Sequence, residues 1–328
     1  MNATMNAYTI HAESRATVLA LREVPVPEAA AGQVLVRLHA AALNRGEFIA
    51  AHGLHAKGAA KPAGAEGAGE IVAIGAGVEK LKPGDRVMGR CAGAFAEYAV
   101  MDAREAVAMP STLSWEEAAA VPLAFMTVHD MLIAQGRLAP GAWLLVTAIS
   151  SGVGVAALQT AKAIGANVIG TSGSQSKLDK LQMCGLDVGV RTRSGDYCDA
   201  VMKTTDGRGV SLVVNNVGGS VFAECVRCLG FEGRLATVGY VDGVLKAEID
   251  IEALHAKRLT LFGVSNKLRN AAQRAETARG FVADLLPMFA DGRLRPLIDR
   301  VFPFDQLPAA KAYMESNAHV GKIVVRLP

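Results

Sequence analysis

The sequence predicts an α/β protein in which a doubly wound parallel-sheet domain is inserted into a β-rich domain. Three observations predict it. Short apolar segments separated by Gly and Pro fill residues 17–109. Apolar segments of strand length and of helix length then alternate. Near residue 302 the pattern of the first region returns. Strands that alternate with helices at this spacing favour a parallel sheet covered on both faces.

The first region is typical of an irregular all-β domain. Residues 34–38 and 71–74 are apolar and of strand length, and Gly75-Ala76-Gly77 follows the second as a turn. A Pro83-Gly84 turn directly precedes another strand at Val87. The strand–helix alternation that is typical of a parallel sheet is not present in this region.

The second region carries the strand–helix alternation. Ser114 and Glu117 have the spacing of a helix capping box, in which each side chain bonds the other residue's backbone N–H. Strands are predicted at 143–147, 167–170, 212–214, 234–238 and, as an edge strand, 259–264. Helices are predicted between them at 152–164, 177–183 and 222–229.

The third region returns to the first domain. A Phe302–Asp305 segment leads into a helix at 309–316, and residues 322–326 form a terminal strand. We therefore expect three segments: a β-rich catalytic domain at 1–122, a nucleotide-binding domain at 123–265, and a C-terminal return at 266–328 that completes the first domain.

Composition excludes several classes of protein. Of 328 residues, 51% are hydrophobic and 20% charged, which rules out a disordered chain. The 34 Lys and Arg against 31 Asp and Glu leave a net charge of +3 with no basic block, and aromatic residues are only 5%. Neither a nucleic-acid surface nor a base-stacking platform is indicated, so we expect no nucleic-acid partner.

The chain also lacks signals for export or membrane insertion. Its first ten residues have no apolar core of signal-peptide length, and its longest mostly apolar run, 118–128, contains Pro122 and is too short to span a bilayer. Five cysteines do not suggest a disulfide framework. The expectation is a soluble cytoplasmic protein without a membrane partner.

A glycine loop is the most informative motif. The strand at residue 143 runs into small residues and then into a helix, an arrangement that brings backbone N–H groups close to a pyrophosphate at the positive end of a helix dipole. The residues that we expect to contact a dinucleotide here are Ser150, Ser151, Gly152, Val153 and Gly154. Ser151 stands where a strict GxGxxG motif has glycine; an ordinary loop between strand and helix is the alternative.

The end of the next strand predicts which dinucleotide is bound. Twenty residues after Ser151, where an NAD-preferring domain offers Asp or Glu to the ribose, the chain has hydroxyls, a glycine and a lysine. These residues, together with an arginine after the following strand, suit the 2′-phosphate of NADPH: Thr171, Ser172, Gly173, Ser174, Lys177 and Arg193. Arg191 is a second candidate, and solvated surface arginines are the alternative for both.

These motifs resemble the medium-chain dehydrogenase/reductase superfamily, in its zinc-free NADPH:quinone oxidoreductase (zeta-crystallin-like) branch. The resemblance extends over most of the chain and rests on residues 42–45, 64–70, 84–87, 127–128, 148–154, 161–166 and 319–322. It implies a GroES-like catalytic domain, a Rossmann domain, an active site between them, and a homodimer that pairs edge strands such as 259–264.

The resemblance also implies which ligands a zinc enzyme would need. Zinc-dependent relatives have a Cys near the Asn44 position, a His directly before Glu66, and a four-cysteine lobe. Here Ala65 precedes Glu66, and Cys91 is the only cysteine before Phe95. The Cys225–Cys228 pair is formally a CxxC, but it lies in a helix-like segment and is interpreted as two packed small residues. We therefore expect no metal.

Two residues are candidates for the chemistry, Asn44 and His55. The resemblance places Asn44 near nicotinamide and substrate; capping of a helix that starts at Arg45 is the alternative, and the two roles are compatible. Relatives often carry tyrosines at the positions of Ile49 and His55. An imidazole donates or accepts a proton near neutral pH, so His55 is a candidate proton source, with a bystander in a polar loop as the alternative.

Further cofactor contacts are implied by the resemblance and by the rule that ligands bind at the carboxyl ends of parallel strands. The family threonine at the Thr127 position contacts the nicotinamide side; a helix-facing core threonine is the alternative. Strand ends add Val217, Gly218, Gly239, Tyr240 and Val264. A family arginine credited with phosphate binding falls at Asn317, which is a departure from the pattern.

The predicted function is zinc-independent, NADPH-dependent hydride transfer to an electron-poor small molecule, either a quinone or an α,β-unsaturated carbonyl compound. Enoyl-thioester reduction is an alternative within the same chemistry. A catalytically silent NADPH-binding protein with a structural or redox-sensing role is an alternative from another class. A zinc-dependent alcohol dehydrogenase is opposed by the missing ligands.

Overall fold

The computed structural model describes residues 3–13, 16–49 and 59–328. His55, one of the two predicted catalytic residues, lies outside the described residues. The chain forms two compact units, one made of residues 1–124 and 289–328 and the other of residues 125–288.

The first unit contains two sheets that are mostly antiparallel. Its strands are β1 (Thr4–Glu13), β2 (Ala16–Pro25), β3 (Gln33–Ala42), β4 (Lys61–Pro62), β5 (Glu66–Ile74), β6 (Arg86–Arg90), β7 (Tyr98–Asp102), β8 (Val107–Ala108), β15 (Ile298–Pro303) and β16 (Lys322–Arg326). The small sheet has the order β2-β1-β4, and the large one β15-β16-β3-β5-β6-β8, with β7 also paired to β3. The C-terminal strand β16 pairs directly with β3, so the end of the chain completes this unit.

Strand β3 is the centre of the large sheet. It pairs with β5, β7 and β16, and its apolar residues are buried while Arg37 is exposed. A strand covered on both faces needs this nearly continuous apolar sequence. The core around it includes Leu38, Ile71, Phe95 and Val325.

Helices of the first unit are short. They are α1 (Trp115–Ala119), α10 (Leu307–Glu315) and the single turns Arg45–Phe48 and Phe304–Gln306, and the chain passes between the units within α2 (Pro122–Val128) and α9 (Leu286–Ala290). The predicted capping box is confirmed: the Ser114 hydroxyl accepts from the Glu117 N–H, and the Glu117 carboxylate accepts from the Ser114 N–H.

The second unit is built on one parallel sheet of six strands. The strands are β9 (Trp143–Val146), β10 (Asn167–Ser172), β11 (Val188–Arg191), β12 (Val210–Asn215), β13 (Leu229–Thr237) and β14 (Thr260–Gly263), in the order β11-β10-β9-β12-β13-β14. The chain moves outward from β9 to β11 and then returns to the other side of β9. The strand order therefore reverses between β9 and β12, which is where such sheets bind ligands.

The helices of the second unit precede, connect or follow these strands. They are His129–Ala134, which has the wider π-helical turn, α3 (Gly152–Ile164), α4 (Gln175–Gln182), α5 (Cys198–Thr204), the turn Gly219–Val221, α6 (Phe222–Arg227), α7 (Ile251–Ala256) and α8 (Ala271–Asp284). The predicted helix at 152–164 and the strand at 322–326 have the observed bounds, and the α/β fold class is confirmed.

The second boundary between the units differs from the expected one at 265/266. Helix α8 packs within the second unit instead, against His129–Ala134: His129 Nε2 lies 2.7 Å from Asp284 Oδ2, and the imidazole ring covers Gly280, where a Cβ would collide with it. The boundary therefore falls at 288/289. The sequence of an amphipathic helix does not show which of two cores the helix covers, and for this reason the prediction placed the boundary too early.

Strand β13 shows the largest difference from the predicted bounds. It begins at Leu229 rather than 234, because Leu229 already pairs with Val210 of β12 before the register shifts and Leu212 pairs with Arg234. The preceding helix consequently ends at Arg227 rather than 229. Among the described residues, none of the helices combines the length and the apolar character that crossing a bilayer requires.

Candidate functional site

The turn between β9 and α3 has the tight geometry of a dinucleotide loop. Ala148 adopts a left-handed backbone, and the Ser151 hydroxyl accepts a hydrogen bond from the Gly154 N–H at 3.1 Å, which caps the helix. Gly154 has no room for a side chain, since a Cβ there would lie 2.6 Å from the Ile149 carbonyl oxygen. The N-terminus of a 13-residue helix is thus presented at the end of β9, with Ser150, Gly152 and Val153 beside it.

Neighbouring strand ends hold this loop in place. The Thr171 hydroxyl accepts from the Ala148 N–H at 3.3 Å, and the Thr171 carbonyl accepts from the Ile149 N–H at 3.0 Å. On the other side, the Asn216 side chain donates to the Thr147 carbonyl at 2.9 Å. The loop is therefore fixed from both β10 and β12 before any ligand arrives, which lowers the entropic cost of binding.

A small basic depression of about 270 Å³ lies at the ends of β10 and β11. It is lined by Gly173, Arg191, Thr192, Arg193, Ser194 and Asp196. The Arg193 side chain lies over Gly173, because a Cβ at Gly173 would be 3.0 Å from Arg193 Cγ and 3.1 Å from its Nε. Two guanidinium groups and backbone N–H groups beside a strand end are chemically suited to a phosphate monoester.

Asp196 supplies the acidic side chain among those that line this depression. Its carboxylate accepts hydrogen bonds from the Thr192 hydroxyl at 2.6 Å and the Ser194 hydroxyl at 2.8 Å, and these bonds hold its pKa below the ordinary value. The carboxylate is thus tied to its own loop, and the two arginines leave the depression with a net positive charge.

The remaining residues of the predicted 2′-phosphate site have other contacts. Thr171 and Ser172 are buried, and the Ser172 hydroxyl accepts from the Ser174 N–H at 3.3 Å. Lys177 stands in the first turn of α4 and is half-buried, outside the set that lines the depression. The structure therefore brings Gly173 and Arg193 together in this depression.

The other predicted cofactor residues follow the ends of β12, β13 and β14, apart from Thr127, which lies on α2. Asn215 Oδ1 accepts from the N–H groups of Val217 and Gly218 at 3.0 and 3.1 Å. Gly218 has φ +132° and would collide with Asp242 if it carried a Cβ. Gly239 follows β13 and Tyr240 is 40% exposed, whereas Val264 is buried. Thr127 is half-buried on α2.

In the first unit, the half-buried Asn44 belongs to a closed network with the buried side chains of Glu66 and Lys322. Asn44 Nδ2 donates to Glu66 Oε1 at 2.8 Å, and Asn44 Oδ1 accepts from Lys322 Nζ at 2.9 Å. Lys322 Nζ also donates to Glu66 Oε1 at 2.7 Å and to the Leu43 carbonyl at 3.1 Å, while Glu66 Oε2 accepts from the Leu123 N–H at 2.7 Å. Asn44 precedes the turn at Arg45 without a side-chain capping bond, so the capping alternative was wrong.

The network's own side chains are an amide, a carboxylate and an ammonium group, with no Cys or His among them. Ala65 separates the network from the preceding turn, and both oxygens of Glu66 are already engaged. Within the described ranges, no group of three or more His, Cys, Asp or Glu side chains is arranged to hold a metal ion.

Glu47 and Cys91 lie close to the network in the same core. Burial raises the pKa of Glu47 to about 7, an effect reduced by the hydrogen bond that it accepts from the Gly64 N–H and by Lys61. Burial, with the two nearby carboxylates Glu66 and Glu47, raises the pKa of the Cys91 thiol beyond any physiological range. A buried carboxyl at Glu47 with a raised pKa is therefore a property of this unit that sequence reasoning missed.

Sequence reasoning also missed several residues whose hydrogen bonds fix the loops at the carboxyl ends of the parallel strands. Thr147, Asn215, Asn216 and Asp242 were not among the predicted site residues. Polar residues directly after an apolar strand were the available signal for the two asparagines. Asp242 carried no such signal, since its partner Ser220 lies 22 positions earlier in the chain, before α6 and β13.

Comparison with known protein families gives two matches in chain order. Residues 30–111 match the alcohol dehydrogenase GroES-like domain, and residues 152–278 match the zinc-binding dehydrogenase family. The first match falls in the first unit and the second in the second unit.

Individual relatives agree with these matches. The chain is 33% identical over 327 residues to the polyketide synthase GfsB of Streptomyces halstedii, covering 98% of this chain but only 6% of that protein. It is 31% identical over 321 residues to the human synaptic vesicle membrane protein VAT-1 homolog, covering 93% of this chain and 81% of that one.

Solved structures show the same architecture along the whole chain. The CurK enoyl reductase is 27% identical, with a TM-score of 0.83 over 98% of this chain and 99% of that one. The order of the two domains, the fold and the extent of these similarities all agree. The chain belongs to the medium-chain dehydrogenase/reductase superfamily and is an oxidoreductase of that type.

Proposed function

We propose that this protein is an NADPH-dependent reductase that works without a metal ion and saturates the C=C bond of an α,β-unsaturated carbonyl compound. The observation that carries the proposal is the closed network of Asn44, Glu66 and Lys322. It occupies the position where zinc-dependent relatives gather their ligands, and it offers none of the Cys or His donors that zinc prefers.

The cofactor preference rests on the strand ends of the second unit. Gly154 and the helix N-terminus behind it suit a pyrophosphate, and Arg193 over Gly173 suits a 2′-phosphate. The strand end at Thr171–Ser172 carries no carboxylate to bind the ribose hydroxyls of NADH. When bound, NADPH supplies the hydride.

The residues of the chain then have defined tasks. The turn at Ser151–Gly154 holds the pyrophosphate, and Arg191 and Arg193 hold the 2′-phosphate. Hydrogen bonds that involve Thr171 and Asn216 keep the turn rigid. The network around Asn44 keeps the Leu43–Arg45 segment fixed. Without a Lewis acid, the acceptor carbonyl must be polarised by hydrogen-bond donors, and a proton from water or a nearby donor completes the saturated product.

An unsaturated acyl acceptor is favoured by similarity. A solved neighbour at 27% identity is an enoyl reductase, and the curated relatives include polyketide synthases. An enone and an enoyl thioester share the electron-poor C=C bond that accepts hydride at its β carbon. A quinone is reduced by the same hydride chemistry and therefore belongs in the test as a comparison substrate.

The test uses protein dialysed against EDTA and NADPH deuterated at the transferable position. With a simple enone and a simple enoyl thioester, we expect a saturated carbonyl product with deuterium at the β carbon. An allylic alcohol with deuterium at the carbonyl carbon, or activity that returns only when zinc is added, contradicts the proposal. Tight NADPH binding without turnover on enone, thioester or quinone favours the non-catalytic alternative.

The proposal includes a homodimer joined along β14. This strand ends the parallel sheet of the described residues, pairs with β13, and presents the half-buried Leu261 and Phe262. An unpaired apolar edge invites association with another strand. Light scattering at micromolar concentration should give the dimer mass, and Phe262→Lys should shift it towards the monomer; a monomeric parent protein contradicts this part.

A further inference from the structure

The loop that follows β13 carries several exposed apolar side chains. Val241, Val244 and Leu245 are between 41% and 74% exposed, and Tyr240 next to them is 40% exposed. Single apolar residues are common on protein surfaces, but four of them within six positions of the chain are typical of a binding surface. We refer to residues 240–245 as the apolar loop.

Hydrogen bonds fix the apolar loop against the loop that follows β12. The Asp242 N–H donates to the Val217 carbonyl at 3.1 Å, and the Gly219 N–H donates to the Val244 carbonyl at 3.0 Å. The Asp242 carboxylate accepts from the Ser220 N–H at 2.9 Å, from the Ser220 hydroxyl at 2.6 Å and from the Val244 N–H at 2.9 Å. An ordered backbone therefore holds the apolar side chains at the surface, which lowers the entropic cost of binding a ligand there.

Two glycines allow this close contact between the loops. A Cβ at Gly218 would collide with the Asp242 carboxylate, and a Cβ at Gly219 would lie 2.7 Å from Val244 Cγ1. A larger residue at either position would therefore push the apolar loop away. The exposed side chains are thus part of an arrangement in which the two loops fit each other closely.

The apolar loop lies at the carboxyl ends of the parallel strands, on the β13 side of the sheet. In the order β11-β10-β9-β12-β13-β14, Arg191 ends β11, Arg193 follows it, and the turn at Ser151–Gly154 follows β9. A dinucleotide with its 2′-phosphate at these arginines and its pyrophosphate at this turn extends towards β12 and β13 with its nicotinamide end. The apolar loop follows β13, so it lies on the side of the sheet from which the hydride would be delivered.

We propose that the apolar loop binds the hydrocarbon chain of the substrate, and that the enzyme prefers α,β-unsaturated acyl compounds with a long apolar chain to short ones. The inference rests on the proposed function, because it requires NADPH to bind along these strand ends. A hydrocarbon chain suits a surface whose single carboxylate, Asp242, is already bonded to Ser220. The homodimer proposed above is joined along β14 instead, one strand further out in the sheet.

The test measures turnover of 2-enoyl thioesters of N-acetylcysteamine with chains of four, six and eight carbons. Each methylene that is partly withdrawn from water contributes about 2- to 3-fold, so kcat/KM should rise about 10- to 100-fold from four to eight carbons. Leu245→Ser removes the most exposed apolar side chain of the loop and should lower this ratio at least about 5-fold, because part of the apolar surface is lost.

Phe231→Ser is the matched control. Phe231 is 69% exposed and lies near the start of β13, at the opposite end of the same strand, so its loss should leave the ratio unchanged. Equal kcat/KM for all three chain lengths in the parent protein, or an equal loss of the ratio in both variants, would overturn the proposal. A lower mass of Leu245→Ser than of the parent protein in light scattering would also overturn it, since a second copy of the chain would then cover the loop.

Binding of saturated thioesters separates this inference from the proposed function. With NADP⁺ present, calorimetry should give a Kd for the octanoyl thioester about 10- to 100-fold below that for the butanoyl thioester, and Leu245→Ser should reduce this difference. Such a difference without turnover of any enoyl thioester would support the apolar loop as the chain-binding surface and contradict the proposed reaction. Turnover with equal Kd values for the two saturated chains would overturn the role of the loop and leave the reaction in place.

Discussion

Lys322 and Glu66 form a buried ion pair whose charged atoms lie 2.7 Å apart, although the residues are 256 positions apart in the chain. Glu66 begins β5 and Lys322 begins β16, so the pair joins two strands that both flank β3. Asn44 bonds to both charges and completes the network. The far end of the chain is thereby tied to the segment in which the predicted catalytic asparagine lies.

Removing the Lys322 ammonium group should lower the free energy of unfolding. Lys322→Met leaves the Glu66 carboxylate buried without its counter-charge, and breaking a buried pair in this way destabilises a protein by about 3–5 kcal/mol. Urea unfolding measures the loss. Lys311→Met removes only a pair with Glu315 along α10 and should cost about 0.5 kcal/mol. Adding Glu66→Gln to Lys322→Met should recover part of the loss; equal effects of the two lysine variants would contradict the account.

Stability should depend on pH through Glu47. Its pKa is about 7 when folded and 4.5 ordinarily, so between these values the unfolded chain releases a proton that the folded chain keeps. Stability therefore falls as pH rises through this window, by about 3 kcal/mol for a shift of this size.

Glu47→Gln should remove that slope. The difference in unfolding free energy between the variant and the parent protein should grow in favour of the variant from pH 5 to pH 8. Glu79→Gln, at an exposed position, should follow the parent curve. Parallel curves for the parent and Glu47→Gln would show that the buried carboxyl does not titrate in this window.

The glycine turn should tolerate no side chain at Gly154. Gly154→Ala places a Cβ 2.6 Å from the Ile149 carbonyl oxygen, so the turn must shift, at a cost of about 1–3 kcal/mol. Thermal stability and NADPH binding should both fall. Gly263→Ala adds a Cβ with no other atom of the chain within 4 Å and controls for the added methyl group itself. Unaltered NADPH affinity in Gly154→Ala would mean that the turn does not hold the cofactor.

Arg193 should determine the preference between the two nicotinamide cofactors. A charge-assisted hydrogen bond is worth about 1.5–3 kcal/mol, so Arg193→Ala should raise the Kd for NADPH about 10- to 100-fold. The Kd for NADH should stay the same, because NADH has no 2′-phosphate. Arg258→Ala removes an exposed arginine of the same unit and serves as the control. An equal loss for both cofactors would place Arg193 elsewhere in the site.

Much of the fold could be predicted from local pattern. The glycine turn, helix 152–164 and the capping box at Ser114 all depend on residues close together in the chain. Local patterns express backbone propensity and amphipathicity, and both act over a few residues.

Contacts between distant residues could not be predicted in this way. The partners of Asn44 lie 22 and 278 positions away in the chain. Likewise, helix α8 showed which core it covers only through the His129–Asp284 contact. Such pairings follow from the packing of whole elements, which no single motif encodes.

The most direct test of the central claim is steady-state turnover of an enone by EDTA-treated protein, with NADPH and NADH measured in parallel. We predict turnover with NADPH that EDTA does not reduce and zinc does not increase, and a kcat/KM at least about 10-fold lower with NADH, the ratio expected when one charge-assisted contact is missing. Turnover that requires zinc, or that is equally fast with NADH, would contradict the account.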